Sequence, residues 1–295
     1  MTTQSIESSV HANALLGGDR PVRRLGLGTM RLADDPSVRR GPTAPVWEPP
    51  TDRRELLGLI RTAVDLGVNL VDTADAYALG AGEELVAEAL SVVDADVVVA
   101  TKVGLLRPRP DAWVPLGHPD FLRQQIELSL RRLGRDAIDL LYLHRIDENY
   151  PLADQVGVLA EAVTAGKVRH LGLSEVSVAQ LDAAHEVAPV VAVQNLYSYA
   201  ARGHDTVLDR ARELGAVFVP FFPISFDTAA HPGLEAVARS RGATPQQVAL
   251  AWLLHRSPHV VPIPGTTSER HLRENLAALD LELTRDELAV LDAAR

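Results

Sequence analysis

The chain has 295 residues, with 29 basic and 39 acidic side chains, ten histidines and no cysteine, for a net charge of −10. That acidic balance disfavours nucleic acid or an anionic membrane as the main partner, and the lack of cysteine excludes disulfides and thiolate metal sites. No HExxH sequence occurs, so no protein-bound metal is expected and the ligand is expected to be a small molecule.

The N-terminal stretch MTTQSIESSVHANALLGG lacks a basic start and a continuous apolar core. No segment approaches the roughly eighteen apolar residues of a membrane span, so a cytoplasmic protein is expected. Ser8 to Arg24, centred on Gly17, Gly18 and Asp19, reads as a β-hairpin that plugs the floor of the fold. Eight runs rich in Val, Ile and Leu then recur: VRRLGLGT, VNLVD, DVVVATK, AIDLLYLH, HLGLS, VVAVQ, AVFVPFF and VVPIPG.

Helical patterns separate these runs. After the first, Asp52 and Glu55 are spaced as a capping box, Leu56, Ile60 and Ala63 share one face, and Gly67 ends the helix. After the third, Pro119 opens a helix striped by Leu122, Ile126, Leu130 and Leu133 and closed by Gly134. Strands that are apolar on both faces and alternate with helices imply a parallel sheet. Eight such units predict one α/β domain over 1–295, a (β/α)8 TIM barrel, with a doubly wound sheet as runner-up. Pro36–Pro50, with Trp47, and Leu105–Pro119, with Trp113, are too long for simple connections and read as rim loops over a site.

In such a barrel the chemistry sits at the C-terminal ends of the strands. Asp72 ends the second run, Lys102 the third and His144 the fourth, while Ser174, Gln194, Phe221 and Gly265 follow the fifth to eighth. Lys102 stands out because Lys102 and Lys167 are the only lysines among the 29 basic residues, and the end of an apolar strand is a poor place for an idle charge. Taken singly, Asp72 reads as a helix cap, Tyr77 as a core residue with a wet hydroxyl, and His144 as a satisfied buried histidine. Together they read as an acid catalyst for carbonyl reduction: a tyrosine to donate a proton, a lysine to lower its pKa, an aspartate to hold the lysine, and a histidine to orient a carbonyl oxygen. The nearest approach to a dinucleotide-binding fingerprint, GLGTMR, lacks the last glycine, so a Rossmann module is unsupported.

In order along the chain, VDTADAY, ATKVG, DLLYLHRID, GKVRHLGLSE, VQNLYS and IPGTTSERHLRENLAAL resemble the successive motifs of aldo-keto reductases, over about residues 24 to 295. VPFFP, IPGTTSERHLRENL and QVALAWLLHRSP are most similar to a bacterial, pyridoxal reductase-like subgroup. The resemblance implies Tyr77 as general acid, Lys102 as the cation beside it, Asp72 as the lysine's partner and His144 as the carbonyl-orienting donor. It also implies NADP(H) laid across the barrel mouth. Ser174, Glu175 and Gln194 would lie near the carboxamide, Phe221 would stack on the nicotinamide beside Phe222, Pro223 and Ser225, and Gly265, Thr266, Thr267, Arg270, His271, Glu274 and Asn275 would lie around phosphate.

The chain departs from the family pattern at several points. Glu175 stands where many members have Asn, Gly265 and His271 where some branches carry Lys and Arg, and ISFDTAAHPG where a Gly-rich lid is usual. Met30, Tyr77, Leu79, Trp113 and Phe226 are expected to line a pocket for a small carbonyl substrate, with Trp47 in reach. Arg31, Arg39, Arg40, Arg107 and Arg109 on the rim loops are read as solvated. Two other functions stay open at this point: an NADP(H)-binding sensor or regulatory subunit with little turnover, and a barrel lyase or isomerase without nicotinamide.

Overall fold

The computed structural model describes residues 13–33 and 46–293. The parts of the expected hairpin and first rim loop on 8–12 and 36–45, with Arg39 and Arg40, lie outside the described residues. The first strands are β1 (Ala14–Leu16), β2 (Arg20–Val22) and β3 (Leu27–Gly28), followed by helix α1 (Arg54–Asp65). Then come β4 (Leu70–Asp72), α2 (Ala81–Leu90), β5 (Val98–Val103), β6 (Leu105–Leu106), β7 (Val114–Pro115), α3 (Pro119–Leu133), β8 (Ile138–Leu143) and α4 (Leu152–Thr164). The chain continues through β9 (Val168–Ser174), α5 (Val178–Val187), β10 (Val190–Gln194), α6 (Asp205–Glu213) and β11 (Val217–Phe218). It ends on four helices, α7 (Pro232–Arg241), α8 (Pro245–Arg256), α9 (Glu269–Ala277) and α10 (Arg285–Ala293).

Seven strands make one all-parallel α/β sheet in the order β11-β10-β9-β8-β5-β4-β3. Its two faces are both buried, and the period-2 alternation of side chains sorts them. Val97, Val99, Val103, Leu141 and Leu143 join the large core under the helices, whereas Leu70, Val98, Ala100, Leu140, Tyr142 and Ala192 meet one another on the inner face. Residues on one inner row therefore end in a polar group at the strand's C-terminal end: Leu70 then Asp72, Ala100 then Lys102, Tyr142 then His144, Ala192 then Gln194. Gly172 belongs to this inner row because an added Cβ would sit 2.5 Å from the Tyr142 ring.

The sequence predicts an eighth strand at VVPIPG, and no strand forms there. Pro262 and Pro264 lack an N–H, which breaks any regular ladder. The segment still bonds to both edges of the sheet. Phe218 N–H donates to His259 O at 2.8 Å and Val261 N–H to Phe218 O at 2.9 Å, while Gly26 N–H donates to Pro262 O at 3.0 Å. β1 pairs antiparallel with β2, and Ala14, Leu16 and Val22 pack into the inner cluster with Val217 and Val261.

Helix α3 has the predicted start and stop, with Pro119 in its first turn and Gly134 at φ +62°, and Leu122, Ile126 and Leu133 buried. Helix α1 buries Leu56, Ile60 and Ala63 as expected, and Gly67 follows it at φ +92°, but the capping box does not form. The helix begins at Arg54, so Asp52 is one position too early to be its cap; its carboxylate accepts from the Arg54 N–H instead. The rim segment Leu105–Pro115 folds as an antiparallel ribbon, β6 with β7. Arg107 is buried there rather than solvated. It donates to the carbonyls of Ala112, Val46, Ala76 and Pro110 and lies 3.5 Å from the centre of the Trp113 ring. Among the described residues no helix is long and apolar enough to cross a membrane.

Candidate active site

The ends of β4 and β5 place Asp72 and Lys102 side by side, paired in register through Asp72 and Ala100. Lys102 Nζ lies 2.5 Å from Asp72 Oδ1, 2.8 Å from Thr73 O and 3.3 Å from the Tyr77 hydroxyl. An ammonium has three N–H groups, and all three are used. The third donates to the Tyr77 oxygen, so the hydroxyl's own proton is left to point elsewhere. The second Asp72 oxygen accepts from Gln194 Nε2 at 2.8 Å. The backbone turns sharply after Tyr77, with Ala78 at φ +46°, Leu79 at φ +54° and Gly80 at φ +97°. Two non-glycine residues in the left-handed region store strain beside a site residue.

His144 follows β8, its backbone N–H donating to Val103 O at 2.8 Å, and its ring packs edge-on to Tyr77 at 6.1 Å between centres. Nδ1 is buried without a partner. Leaving a lone pair unpaired there is less costly than leaving an N–H, which places the ring proton on Nε2 as a donor.

Burial and neighbouring charge set the protonation states. Burial, with Lys102, Arg145 and Arg107 nearby, holds His144 well below the usual histidine value, so it is neutral. Burial also raises Tyr77, outweighing the pull of Lys102, so its phenol keeps the proton through the neutral range. Burial works against the Lys102 ammonium, but attraction to Asp72 and Tyr77 outweighs it and raises the group above its ordinary value. Asp72, pushed up by burial and pulled back by Lys102 and Gln194, is the counter-ion.

These groups open onto a cavity of about 510 Å³. Asp72, Tyr77, His144, Ser174, Gln194, Phe221, Phe222, Pro223, Ser225, Gly265, Met30 and Trp113 all line it, with Lys102 beneath. Other expected site residues lie elsewhere. Leu79, thrown outward by the left-handed turn, is 56% exposed, and Phe226 stacks on Tyr199 at 6.2 Å. Trp47 sits against Arg107, 5.6 Å away, and is not in the wall. Glu175, at φ +56°, turns its carboxylate to the Leu196 N–H.

Thr266, Thr267, Arg270, His271, Glu274 and Asn275 follow Gly265 outside the wall. Ser268 caps α9, Thr266 Oγ1 accepts from the Ser268 N–H, and Arg270 pairs with Glu274 at 2.6 Å. The sequence reading missed Arg145, Gly28, Val46, Leu105, Pro115, Ile224 and Ile263 in the wall, and Arg31, read as solvated, also lines it. Arg145 had a signal, since it follows His144 in HRID at a strand end; the others besides Arg31 are small or apolar residues with none.

The aldo/keto reductase family profile matches residues 24–295. The chain belongs to the aldo/keto reductase family. It is therefore an oxidoreductase. Among similar proteins, the pyridoxine 4-dehydrogenase of Escherichia coli is 40% identical over 288 residues, 95% of this chain and 98% of that one. An uncharacterised oxidoreductase of Schizosaccharomyces pombe is 39% identical over 277 residues, 93% of this chain and 87% of the relative. The crystal structure of an aldo-keto reductase from Klebsiella pneumoniae in complex with NADPH superimposes with a TM-score of 0.80 at 28% identity, covering 96% and 94% of the two chains. Against that background, the dense hydrogen bonding around Lys102 and the sparse bonding around His144 divide this reductase's site into a fixed part and a part free to meet a ligand.

Proposed function

We propose that this reductase converts a small aldehyde or ketone to the alcohol, with NADP(H) as hydride carrier and Tyr77 as general acid. The observation that carries the reading is the saturated Lys102 ammonium, bonded at once to Asp72, Thr73 and Tyr77 under an open cavity. The cavity fits a nicotinamide. It offers the Phe221 ring as an apolar platform, the Ser174 hydroxyl and Gln194 as polar groups in the wall, and Gly265 packed so closely on Gly28 that an added Cβ would lie 3.0 Å from its carbonyl oxygen. When bound, the cofactor supplies hydride. We infer further that 259–263, bonded to both β11 and the residues before β3, closes the sheet into an eight-membered barrel, with the β1–β2 pair across its floor.

The chain's own residues do the rest. His144, neutral and protonated on Nε2, donates to the carbonyl oxygen and orients it. Tyr77 holds a proton that Lys102 does not compete for, because the lysine bonds to the other side of the oxygen. As alkoxide character develops, that proton passes to the substrate. Lys102 then stabilises the phenolate left behind, where burial would otherwise oppose its charge. A positioned acid contributes roughly 10²- to 10⁴-fold.

The test compares NADPH oxidation by wild type and Tyr77→Phe over a panel of aldehydes and ketones including pyridoxal, with NADPH binding measured for both. A loss of at least about a hundredfold with NADPH affinity kept is expected. NADPH binding without turnover in any panel member would favour a sensor, and no NADPH binding would overturn the reading.

A further inference from the structure

The cavity wall carries positive charge that touches no reacting group in the proposed mechanism, where it serves only to help keep His144 neutral. Of the charged groups lining it, Asp72 is neutralised by Lys102, while Arg31 and Arg145 make no ion pair among the described residues. This contrasts with a chain whose net charge is −10 and whose arginines mostly sit against carboxylates or backbone carbonyls. Arg145 is the more informative of the two because it adjoins His144, the group that receives the carbonyl.

Arg145 is only half-buried, and its guanidinium is anchored through one nitrogen. Nη1 donates to His144 O at 2.6 Å and to Ser174 Oγ at 2.9 Å. Nε and Nη2 make no hydrogen bond among the described residues. Those two nitrogens form the side-on edge of the fork, the edge that takes both oxygens of a carboxylate at once. Glu175 is the carboxylate that acts on Arg145 electrostatically, but its Oε1 is occupied by the Leu196 N–H. A fixed, permanently charged fork with a free bidentate edge, beside the carbonyl-orienting histidine, is built for a planar oxyanion on the substrate.

We propose that Arg145 is a specificity-determining residue whose Nε and Nη2 bind a carboxylate carried by the carbonyl substrate, so that the preferred substrates are oxo-acids rather than neutral aldehydes. This rests on the reductase reading for the word substrate, but the anion site is testable without it. Removing a bidentate charge-assisted contact should cost about tenfold to a hundredfold in affinity.

The experiment has a binding arm and a turnover arm. Benzoate and benzamide are titrated calorimetrically into the full chain, with and without NADPH. Wild type is expected to prefer benzoate at least about tenfold, Arg145→Met to show a ratio near one, and Arg145→Lys to fall between them, because an ammonium keeps the charge and loses the fork. In the turnover arm, kcat/KM is compared for terephthalaldehydic acid and its methyl ester. The ester is the more electron-poor aldehyde, so a preference for the acid cannot come from intrinsic reactivity.

Equal binding of benzoate and benzamide by wild type overturns the proposal whatever the variants do. So does an Arg145→Met that weakens NADPH binding while leaving the benzoate preference intact, since the arginine would then serve the cofactor. Turnover of both aldehydes without preference for the acid keeps the reductase and removes the anion site. A benzoate preference without any turnover does the reverse.

Discussion

The two halves of the sheet are built differently. On one side β5 and β8 are six-residue strands and β9 a seven-residue strand, each paired with a strand on both sides, and the neighbouring Asp72, Lys102 and His144 are each at most 6% exposed. On the other, β11 has two residues, the segment after it is interrupted by prolines, and Phe222 takes φ +51° with 39% exposure. The ion pair proposed to poise the proton donor, Lys102 with Asp72, stands at the ends of hydrogen-bonded strands, although Tyr77 itself precedes a strained turn. Of the groups proposed to receive a large, flat ligand, Phe221 and Phe222 stand on irregular backbone, while Ser174 and Gln194 end regular strands. Damage to the first half should therefore reach stability and rate together, and damage to the second should reach affinity alone.

The strongest attempt to break that contrast is Lys102→Met. It leaves Asp72 buried without its cation, a loss of about 3–5 kcal/mol, and removes the charge beside Tyr77, with kcat expected to fall at least about 10³-fold. Thermal unfolding and steady-state rates read both, and a stable, slow variant would show that the pair serves chemistry only. Phe221→Ala, at the cavity wall, should weaken NADPH binding by about tenfold through the lost aromatic face while leaving the melting temperature nearly unchanged. A fluorescence titration that finds unaltered affinity would dissociate this half from the cofactor.

The pH profile sharpens the same point. His144 is held neutral well below the ordinary histidine value of about 6.5, and Tyr77 stays protonated above neutrality, so kcat for reduction should be level between about pH 6 and 9, the window the two groups leave free. An inflection near the ordinary histidine value would put a charged His144 in the cycle.

The smallest effect concerns Asp75, buried, with Oδ1 unpartnered and its carboxyl raised well above the ordinary range by burial and by Glu83. Its folded-state value exceeds the unfolded one, so the proton it holds favours folding fully below about pH 3.9, and that contribution is lost as pH rises toward the folded value. Asp75→Asn is thus expected to raise the melting temperature at about pH 7 by on the order of 2 °C and to do little near about pH 3.5. An equal gain at both pH values would mean that the carboxyl's titration is not the cause.

Much of this contrast was legible in the sequence. Nearly continuous apolar runs ending in Asp72, Lys102 and His144 announce the sheet and bring the three polar groups to one end of it, because the same side-chain alternation that buries Ala100 delivers Lys102 to the same face. What sequence could not supply was the local backbone. Nothing in DAYALGAG announces that Ala78 and Leu79 adopt left-handed conformations, so Leu79 was expected in the pocket it turns away from. VVPIPG reads as a strand by composition although its prolines withhold the donors a ladder needs. Arg107 looked like a surface residue of a proline-rich loop, and only the folded ribbon shows four carbonyls gathered around it.

The scarcity of lysine has a practical consequence. Lys102 is 1% exposed with its three N–H groups committed, whereas the Lys167 side chain is 44% exposed and precedes β9, at the opposite end of that strand from Ser174. Among side-chain amines, an acylating reagent or an activated resin thus meets only Lys167. Molecules coupled through it would share one orientation, with the cavity mouth turned away from the support.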